Sequence, residues 1–307
     1  MLSRVADSLY WMSRYLERAE HMARLAAMRL TAAIEQRPKD AAADWRLIFH
    51  ALHLEMRDAD DAKSLMDHFI LDRVDAASMS GCIQAARDNA RQVREHISGE
   101  MWEQLNRHYL GLRRLRIEAI WSDEPVEFLN NQIDALLLLR GLADDTLSHG
   151  EAWHFIELGR FLERAQSVAR LTDLYLARGE FDAAALLKMV AAFEAYCRVN
   201  TAVIRTAAVL DFLILDPHFP HSIRFCADAI QAHLGAIAPK SSGGRRAKPE
   251  RIAGRLVSVL DDAEAENLLI TGPHAFLDQI QDLAEAIHDQ VYAGAIDYPI
   301  PAHLNDG

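Results

Sequence analysis

The sequence of 307 residues is poor in residues that interrupt helices or cross-link chains, with 14 glycines, 9 prolines and 3 cysteines. Because the cysteines are odd in number and form no Cys-x-x-Cys pair, neither a disulfide framework nor a cysteine-based zinc site is supported. No apolar run approaches the roughly 18 residues of a membrane span, and the first residues lack the apolar core of a signal peptide. We therefore expect a cytoplasmic protein that enters no membrane and whose thiols are reduced and buried. The cysteines are Cys82, Cys197 and Cys226.

Basic residues are fewer than acidic ones, with 33 lysines and arginines against 45 aspartates and glutamates, which gives a net charge of −12. Both halves are acidic, with 19 basic against 24 acidic residues in 1–146 and 14 against 21 in 147–307. A nucleic-acid-binding domain normally has a strongly basic surface. The charge balance therefore predicts no nucleic acid among the partners.

Helix-forming residues are abundant, and their apolar members recur every three or four positions. No stretch alternates apolar and polar residues as a half-buried strand does. In the first segment, this spacing predicts a helix of about 30 residues that ends before Pro38. Later periodic stretches, including 99–120 and 181–208, are separated by short breaks, so the sequence predicts an all-α helical bundle. The small, basic and proline residues of 239–249 interrupt the pattern and predict a surface loop.

The chain also repeats itself, which is the most informative feature of the sequence. Residues 14–25 align without a gap on residues 160–171, with 8 of 12 positions identical and Leu-Glu-Arg-Ala in both segments. A second block follows in the same order at an offset of 144, in which Asp72, Ser78 and Cys82 recur as Asp216, Ser222 and Cys226. These matches predict a tandem duplication, in which repeats 1–147 and 148–307 share one core around a pseudo-twofold relation.

The repeated segment places ionisable side chains in one wedge beside the apolar stripe of its helix. In the first copy, Glu17 is within reach of Arg14 and His21 on its own helix and lies two turns from Arg24. Arg18 points further round the helix, towards another neighbour. The spacing therefore predicts pairing within the helix for Glu17 and pairing elsewhere for Arg18.

In the second copy, Glu163 has the same relation to Arg160 and Arg170, and Arg164 takes the position of Arg18. Two interpretations of the paired motifs remain open. One is a semi-buried network of ion pairs that fixes how the halves dock, because charged groups survive burial only when they are paired. The other is a pocket for an acidic or zwitterionic ligand, in which the arginines bind a carboxylate or phosphate.

A further group of basic residues is present only in the first half. Its three arginines are spaced at i, i+4 and i+7, which places them on one face of a helix. They are Arg87, Arg91 and Arg94, accompanied by Asn89, Trp102 and Asn106. The charge is absent from the second half, where the counterparts of the arginines are Gln231, Gly235 and Ala238. This asymmetry favours a first-half surface that binds an anion or docks a partner. The alternative is a solvated helix face whose arginines pair with the local carboxylates of Asp88 and Glu95.

A duplicated helical unit with Leu-Glu-Arg-Ala in each copy, followed by Asp72, Ser78 and the run 86–95, resembles the bacterial Alpha-E family. The resemblance covers essentially the whole chain. It implies a helical protein encoded beside circularly permuted ATP-grasp ligases, a transglutaminase-like protein and sometimes a proteasome-like peptidase. A role in the synthesis or modification of peptides follows from that company, but the resemblance implies no established reaction for the protein itself.

Three hypotheses of function follow. In the first, the protein is a non-catalytic subunit that docks an ATP-grasp protein through the first-half arginines, with a transglutaminase-like protein as another candidate partner. In the second, it is an enzyme that transfers or hydrolyses an aminoacyl or peptidyl group between the two motifs, with Glu17 or Glu163 as general base. In the third, it is a scaffold in which both glutamates are fully ion-paired.

No cofactor and no metal are predicted. Two Glu-x-x-His pairs, at 151–154 and 285–288, have the spacing of carboxylate-bridged metal sites in helical bundles. Both pairs fall in the same half and at positions that the duplication does not relate. We therefore interpret them as chance occurrences.

Overall fold

The computed structural model describes residues 1–35, 45, 48–49, 61–177, 182–200, 203–238 and 247–293, and these residues contain fourteen α-helices and no strand. The helices of the first half are α1 (Ser3–Glu35), α2 (Ala62–Met66), α3 (Met79–Gln92), α4 (Gly99–Leu112), α5 (Ile117–Ser122) and α6 (Pro125–Thr146). Those of the second half are α7 (Glu151–Ala177), α8 (Ala183–Met189), α9 (Phe193–Val199), α10 (Thr206–Leu210), α11 (Ile223–Ile237), α12 (Lys248–Asp261), α13 (Ala265–Thr271) and α14 (Pro273–Val291). The predicted all-α fold class is confirmed.

The two longest helices, α1 and α7, pack against each other at the centre of the molecule. Helices α3 and α6 cover α1, and helices α11 and α14 cover α7. Because neighbours surround both central helices, side chains on several faces are buried, among them Leu9 and Leu25 of α1 and Leu158 and Leu162 of α7. Any charged group that these two helices carry at their contact must therefore find a partner inside the protein.

The two halves share local elements in the same order. Each has a short π-helix, Asp67–Leu71 or Asp211–Leu215, followed by a longer helix. That longer helix is capped by a serine, Ser78 or Ser222, whose hydroxyl oxygen accepts a backbone N–H bond of the first turn. The last helix of each half, α6 or α14, begins with proline. These correspondences support the duplication, whose two repeats remain a prediction.

Two predicted helices are divided in the structure. The stretch 99–120 ends its first helix at Leu112 and resumes at Ile117. The stretch 181–208 is interrupted at Ala191, whose φ of 55° lies in the left-handed region that a regular α-helix cannot contain. Most of the predicted loop, 239–246, lies outside the described residues, and α12 begins at Lys248 within the predicted range.

The cysteines differ in environment. Cys82 and Cys226 are buried as expected, and burial raises the pKa of each thiol to about 12. Such thiols hold little thiolate at neutral pH, which excludes a nucleophilic role. The expectation is wrong for Cys197, which is exposed on the short helix α9. None of the helices in the described part of the chain combines the length and apolar character that crossing a bilayer requires.

The close approach of α1 and α7 yields a first prediction. A Cβ atom on Gly159 of α7 would lie 2.4 Å from the carbonyl oxygen of Tyr10 on α1, so Gly159→Ala must push the helices apart. We expect it to lower the free energy of unfolding by about 1–3 kcal/mol, measured by urea denaturation. The control Gly141→Ala is in the helix interior of α6, where a Cβ has nothing within 4 Å. It should instead stabilise the protein by about 0.4–1 kcal/mol, and the same sign in both variants would contradict the prediction.

Candidate functional site

The two Leu-Glu-Arg-Ala motifs meet where α1 packs against α7. The carboxylate of Glu163 on α7 accepts hydrogen bonds from Arg14 Nε at 2.8 Å and from Arg18 Nε at 2.7 Å, both on α1. The side chain of Glu163 is only 4% exposed. Burial by itself raises the pKa of Glu163, but the two guanidinium groups outweigh it and lower this pKa to about 2. Glu163 is therefore ionised at neutral pH.

The reciprocal pair joins Glu17 of α1 to Arg164 of α7. Arg164 donates from both Nε and Nη2 to the two carboxylate oxygens of Glu17, the second bond being 2.9 Å long. Its Nη1 donates to the carbonyl oxygen of Pro220 at 3.0 Å. Burial opposes ionisation of Glu17, yet Arg164 holds the pKa of this carboxyl below its ordinary value. Each glutamate is thus neutralised by the opposite helix.

The expected pairing of Arg18 and Arg164 with another neighbour is confirmed, whereas pairing within the first motif is wrong. Arg14 binds Glu163 across the helix contact rather than Glu17 on its own helix. His21 does not bind Glu17, and its Nε2 atom is buried without a partner among the described residues. An opposite helix can present both oxygens of a carboxylate to a guanidinium, as Glu163 does to Arg18 and Glu17 does to Arg164.

The outer arginines of both motifs also differ from the prediction. Arg24 pairs with Glu20 one turn earlier on α1, and Arg160 pairs with Glu157 one turn earlier on α7. Neither binds the motif glutamate of its own helix, because a nearer carboxylate is available in each case. Arg170 does not bind Glu163 directly, and its buried Nε has no acceptor among the described residues.

A layer of neutral polar groups completes the surroundings of Arg14. Its Nη2 donates to Gln166 Oε1 at 2.8 Å, and its Nη1 donates to the hydroxyl of Tyr10 at 3.3 Å. That hydroxyl lies 2.8 Å from Nδ1 of His288 on α14, and burial raises the pKa of Tyr10 to about 12. The roles of Gln166 and His288 could not be predicted from the repeat, because Gln166 stands opposite Glu20 of the first copy and His288 lies outside the aligned segments, where only the Glu-x-x-His spacing singled it out.

The geometry decides what the motif glutamates can do chemically. A general base needs access to substrate and a pKa near the working pH. Glu17 and Glu163 are instead buried, bonded to arginines and held ionised by them. This arrangement supports the ion-pair interpretation of the motifs and argues against either glutamate as a catalytic base.

Possible metal ligands lie elsewhere. Glu151 binds the amino group of Met1, and His154 lies 2.9 Å from His233 through their Nδ1 atoms, so these groups have partners other than a metal. Among the described residues, one group of three has ligand atoms close enough for a metal ion: Asp173, His274 and Asp278. Its histidine is 72% exposed and contacts both aspartates, whose carboxylates raise the pKa of His274. Pairing of the histidine with the two aspartates accounts for this arrangement.

The first-half arginines form a second cluster that packs against α4. We call this cluster the arginine surface; it consists of Arg87, Arg91 and Arg94 with Trp102, Asn106 and Tyr109 of α4. Arg87 donates from Nε to Asn106 Oδ1 at 2.8 Å, and its guanidinium lies 4.6 Å from the ring centre of Tyr109. Arg94 lies 4.8 Å from the ring centre of Trp102. The structure therefore brings the predicted residues of α4 under the predicted arginines, and it adds Tyr109, which lies three residues beyond Asn106.

Two details of the arginine surface differ from the prediction. Helix α3 ends at Gln92, so Arg94 lies in the following short 3₁₀-helix, Arg94–His96, rather than on the same helical face as Arg87. Asn89 turns its amide to the carbonyl oxygen of Ala85 on its own helix. Arg91 is 62% exposed, and its Nη2 lies 3.9 Å from Oδ1 of Asp88. Arg87 is half-buried and also donates from Nη1 to Asp88 Oδ1 at 3.4 Å. The surface thus combines two exposed cations, Arg91 and Arg94, with aromatic rings that back Arg87 and Arg94.

Comparison with known proteins places these features in a family context. The model of the Alpha-E family, described as a predicted alpha-helical domain with a conserved ER motif, matches residues 1–294. Uncharacterized proteins of Mycobacterium bovis and Mycobacterium tuberculosis are each 24% identical over 317 aligned positions, which cover 93% of this chain and 35% of each relative. The chain therefore spans about a third of the length of these curated relatives. No solved structure gives a significant match.

The ion pairs at the helix contact predict that removing one charge strongly lowers the free energy of unfolding. Glu163→Gln keeps the shape of the side chain but leaves Arg14 and Arg18 without their counter-charge. Because breaking a buried pair on one side leaves an uncompensated charge, we expect a loss of about 3–5 kcal/mol in the free energy of unfolding. Urea denaturation followed by circular dichroism measures it. Glu103→Gln, on the exposed side of α4, should change this energy by less than about 0.5 kcal/mol, and equal losses would contradict the prediction.

The same pair predicts the direction of acid sensitivity. The pKa of Glu163 is about 2 in the folded protein and has its ordinary value of 4.5 in the unfolded chain, so acidification protonates the unfolded state first. The stabilisation from ionised Glu163 is complete above pH 4.5 and is lost as the pH falls towards 2. Unfolding free energies of the wild type and Glu163→Gln should therefore converge over that interval. A difference that stays constant with pH would show that Glu163 does not titrate in this way.

Proposed function

The chain belongs to the Alpha-E family, and we propose that it is a non-catalytic, partner-binding subunit of an ATP-grasp-linked system that synthesises or modifies peptide amide bonds. The proposed partner is a circularly permuted ATP-grasp protein, with a transglutaminase-like protein as the second candidate. Both partner classes come from the family resemblance described above. The observation that carries the proposal is the arginine surface, where Arg91 and Arg94 are exposed and Arg87 and Arg94 lie against aromatic rings, on a chain whose net charge is −12.

The arginine surface has the chemistry of a protein-binding site. Arginine, tryptophan and tyrosine are the residues in which binding energy concentrates at protein interfaces. Arg87 is held by Asn106 and by the rings of Trp102 and Tyr109, so its guanidinium is positioned before a partner arrives. Preorganised side chains lose less conformational entropy on binding. An acidic partner would bind this surface with little rearrangement.

The second half supports a binding role by contrast. Its equivalent helix α11 has Gln231, Gly235 and Ala238 at the positions of the three arginines, yet it packs on its long helix as α3 packs on α1. The arginines are therefore not required to form or dock this helix. Binding to a partner accounts for the three arginines, which helix packing does not require.

The length of the relatives gives independent support. The matching region makes up 35% of each relative, so about two thirds of those proteins lie outside it. Regions that are fused in one protein are expected to bind each other when they are encoded as separate proteins. This organisation favours a module that works against a partner over one that works alone.

The enzyme hypothesis has less support. Its candidate bases, Glu17 and Glu163, are buried and bound to arginines of the opposite helix. The scaffold hypothesis agrees with that pairing and with the pairing of Arg87 and Arg91 to Asp88, but it gives no reason for Arg94, which is exposed over the ring of Trp102. Partner binding combines both observations, because a rigid ion-paired core can hold a preorganised surface.

Charge reversal on the arginine surface tests the proposal. The double variant Arg91→Glu and Arg94→Glu changes two exposed side chains, so the helical core should remain folded. We expect its affinity for the co-encoded ATP-grasp protein to fall by about tenfold or more, because like charges would face the acidic partner. Isothermal titration calorimetry with purified proteins measures the change, and raised salt should weaken wild-type binding in the same direction.

A matched control separates the site from net charge. The double variant Arg251→Glu and Arg255→Glu makes the same charge change on exposed positions of α12. It should bind the partner as the wild type does. If neither wild type nor control binds an ATP-grasp protein, or if both double variants lose the same affinity, docking through the arginine surface is wrong.

A further inference from the structure

A cavity beside the helix contact is not explained by the proposed docking function. It lies between α1, α4, α6 and α7 and is partly open to solvent. Apolar side chains form most of its wall, including Met12, Met101 and Leu136. Five ionisable residues share the same wall, namely Glu17, Glu20, Arg140, Glu157 and Arg160. A cavity with apolar walls and a few converging polar groups is the usual form of a small-molecule site.

The ion pairs of this wall leave one arginine without a carboxylate partner. Each carboxylate already has an arginine partner, because Glu17 pairs with Arg164, Glu20 with Arg24 and Glu157 with Arg160. Arg140 forms no ion pair or hydrogen bond with any described residue, although its charge lowers the pKa of Glu17 and Glu157. One cation of the cavity is therefore close to the carboxylates and bonded to none of them.

Arg160 adds a second unused donor. Its Nε is buried and has no acceptor in the described part of the chain. The matching residue of the first half, Arg14, uses Nε on Glu163 and Nη2 on Gln166. A buried donor without an acceptor carries a free-energy cost, which a bound acceptor group would remove. The cavity therefore lacks an anionic acceptor on the side where its two arginines lie.

We propose that this cavity binds a small monocarboxylate whose oxygens accept hydrogen bonds from Arg140 and from Nε of Arg160. A carboxylate offers two oxygens at the spacing that guanidinium groups recognise. The three glutamates on the wall disfavour a dianion such as phosphate more than a single negative charge. The apolar wall at Met12 and Leu136 would contact a short apolar substituent. The cavity gives the centres of water molecules only about 40 Å³, so a longer ligand must extend through the opening.

Two sources of such a group can be distinguished by experiment. A free carboxylic acid is represented by acetate, and the end of a peptide by N-acetyl-alanyl-alanine, with its C-terminal amide as the uncharged control. Titration of the full-length protein should show saturable binding of acetate or of the peptide acid but not of the amide. In the NMR spectrum, binding should move the N–H signal of an arginine Nε, because Arg160 gains an acceptor. Inorganic phosphate should bind more weakly than the carboxylate.

Variants identify the site. Arg140→Gln should weaken carboxylate binding by about tenfold or more, the size expected for a charge-assisted hydrogen bond, and Arg140→Lys should restore part of it. The control Arg255→Gln removes an exposed charge from α12 and should bind as the wild type does. Circular dichroism verifies that each variant is folded. Absence of saturable carboxylate binding, equal binding by Arg140→Gln and the wild type, or a preference for phosphate would overturn the proposal.

Discussion

The structure depends on reciprocal ion pairs between its two central helices. Glu17 of α1 is neutralised by Arg164 of α7, and Glu163 of α7 is neutralised by Arg14 and Arg18 of α1. Because a buried ionised group needs a partner within reach, neither helix can satisfy its own motif without the other. The close approach at Gly159 brings the two backbones near enough for these side chains to meet. Charge pairing and small-residue packing therefore fix the same contact.

The sequence predicted the elements of this contact better than its connections. Apolar periodicity indicated the long helix α1, and the repeated Leu-Glu-Arg-Ala segments indicated which charges matter. Spacing along one helix shows what a side chain can reach locally, but it does not contain the position of the opposite helix. The pairing of Arg14 with Glu163 depends on tertiary structure. Local helix propensity likewise did not predict the left-handed backbone of Ala191.

The two motifs look alike in sequence and differ in structure because of the residues around them. Arg14 and Arg160 occupy matching positions, but the position three residues before them is Trp11 in one half and Glu157 in the other. Trp11 offers only a ring face, 5.0 Å from the Arg14 guanidinium, so this arginine remains available to Glu163. Glu157 instead binds Arg160 and draws it away from Glu17. The difference at this position contributes to making the two sides of the helix contact inequivalent.

We infer that the arginines of the protein have two different roles, stabilising the fold and binding a partner. Those at the centre of the contact are engaged by glutamates and contribute to the stability of the fold, which makes them poor candidates for binding a partner. In the arginine surface, Arg94 rests on Trp102 and is exposed to solvent, whereas Arg87 rests on Tyr109 and shares the carboxylate of Asp88 with Arg91. Aromatic backing holds a guanidinium without neutralising it, whereas a carboxylate partner does both. The type of neighbour, more than the number of arginines, therefore determines which positive charges remain available for recognition.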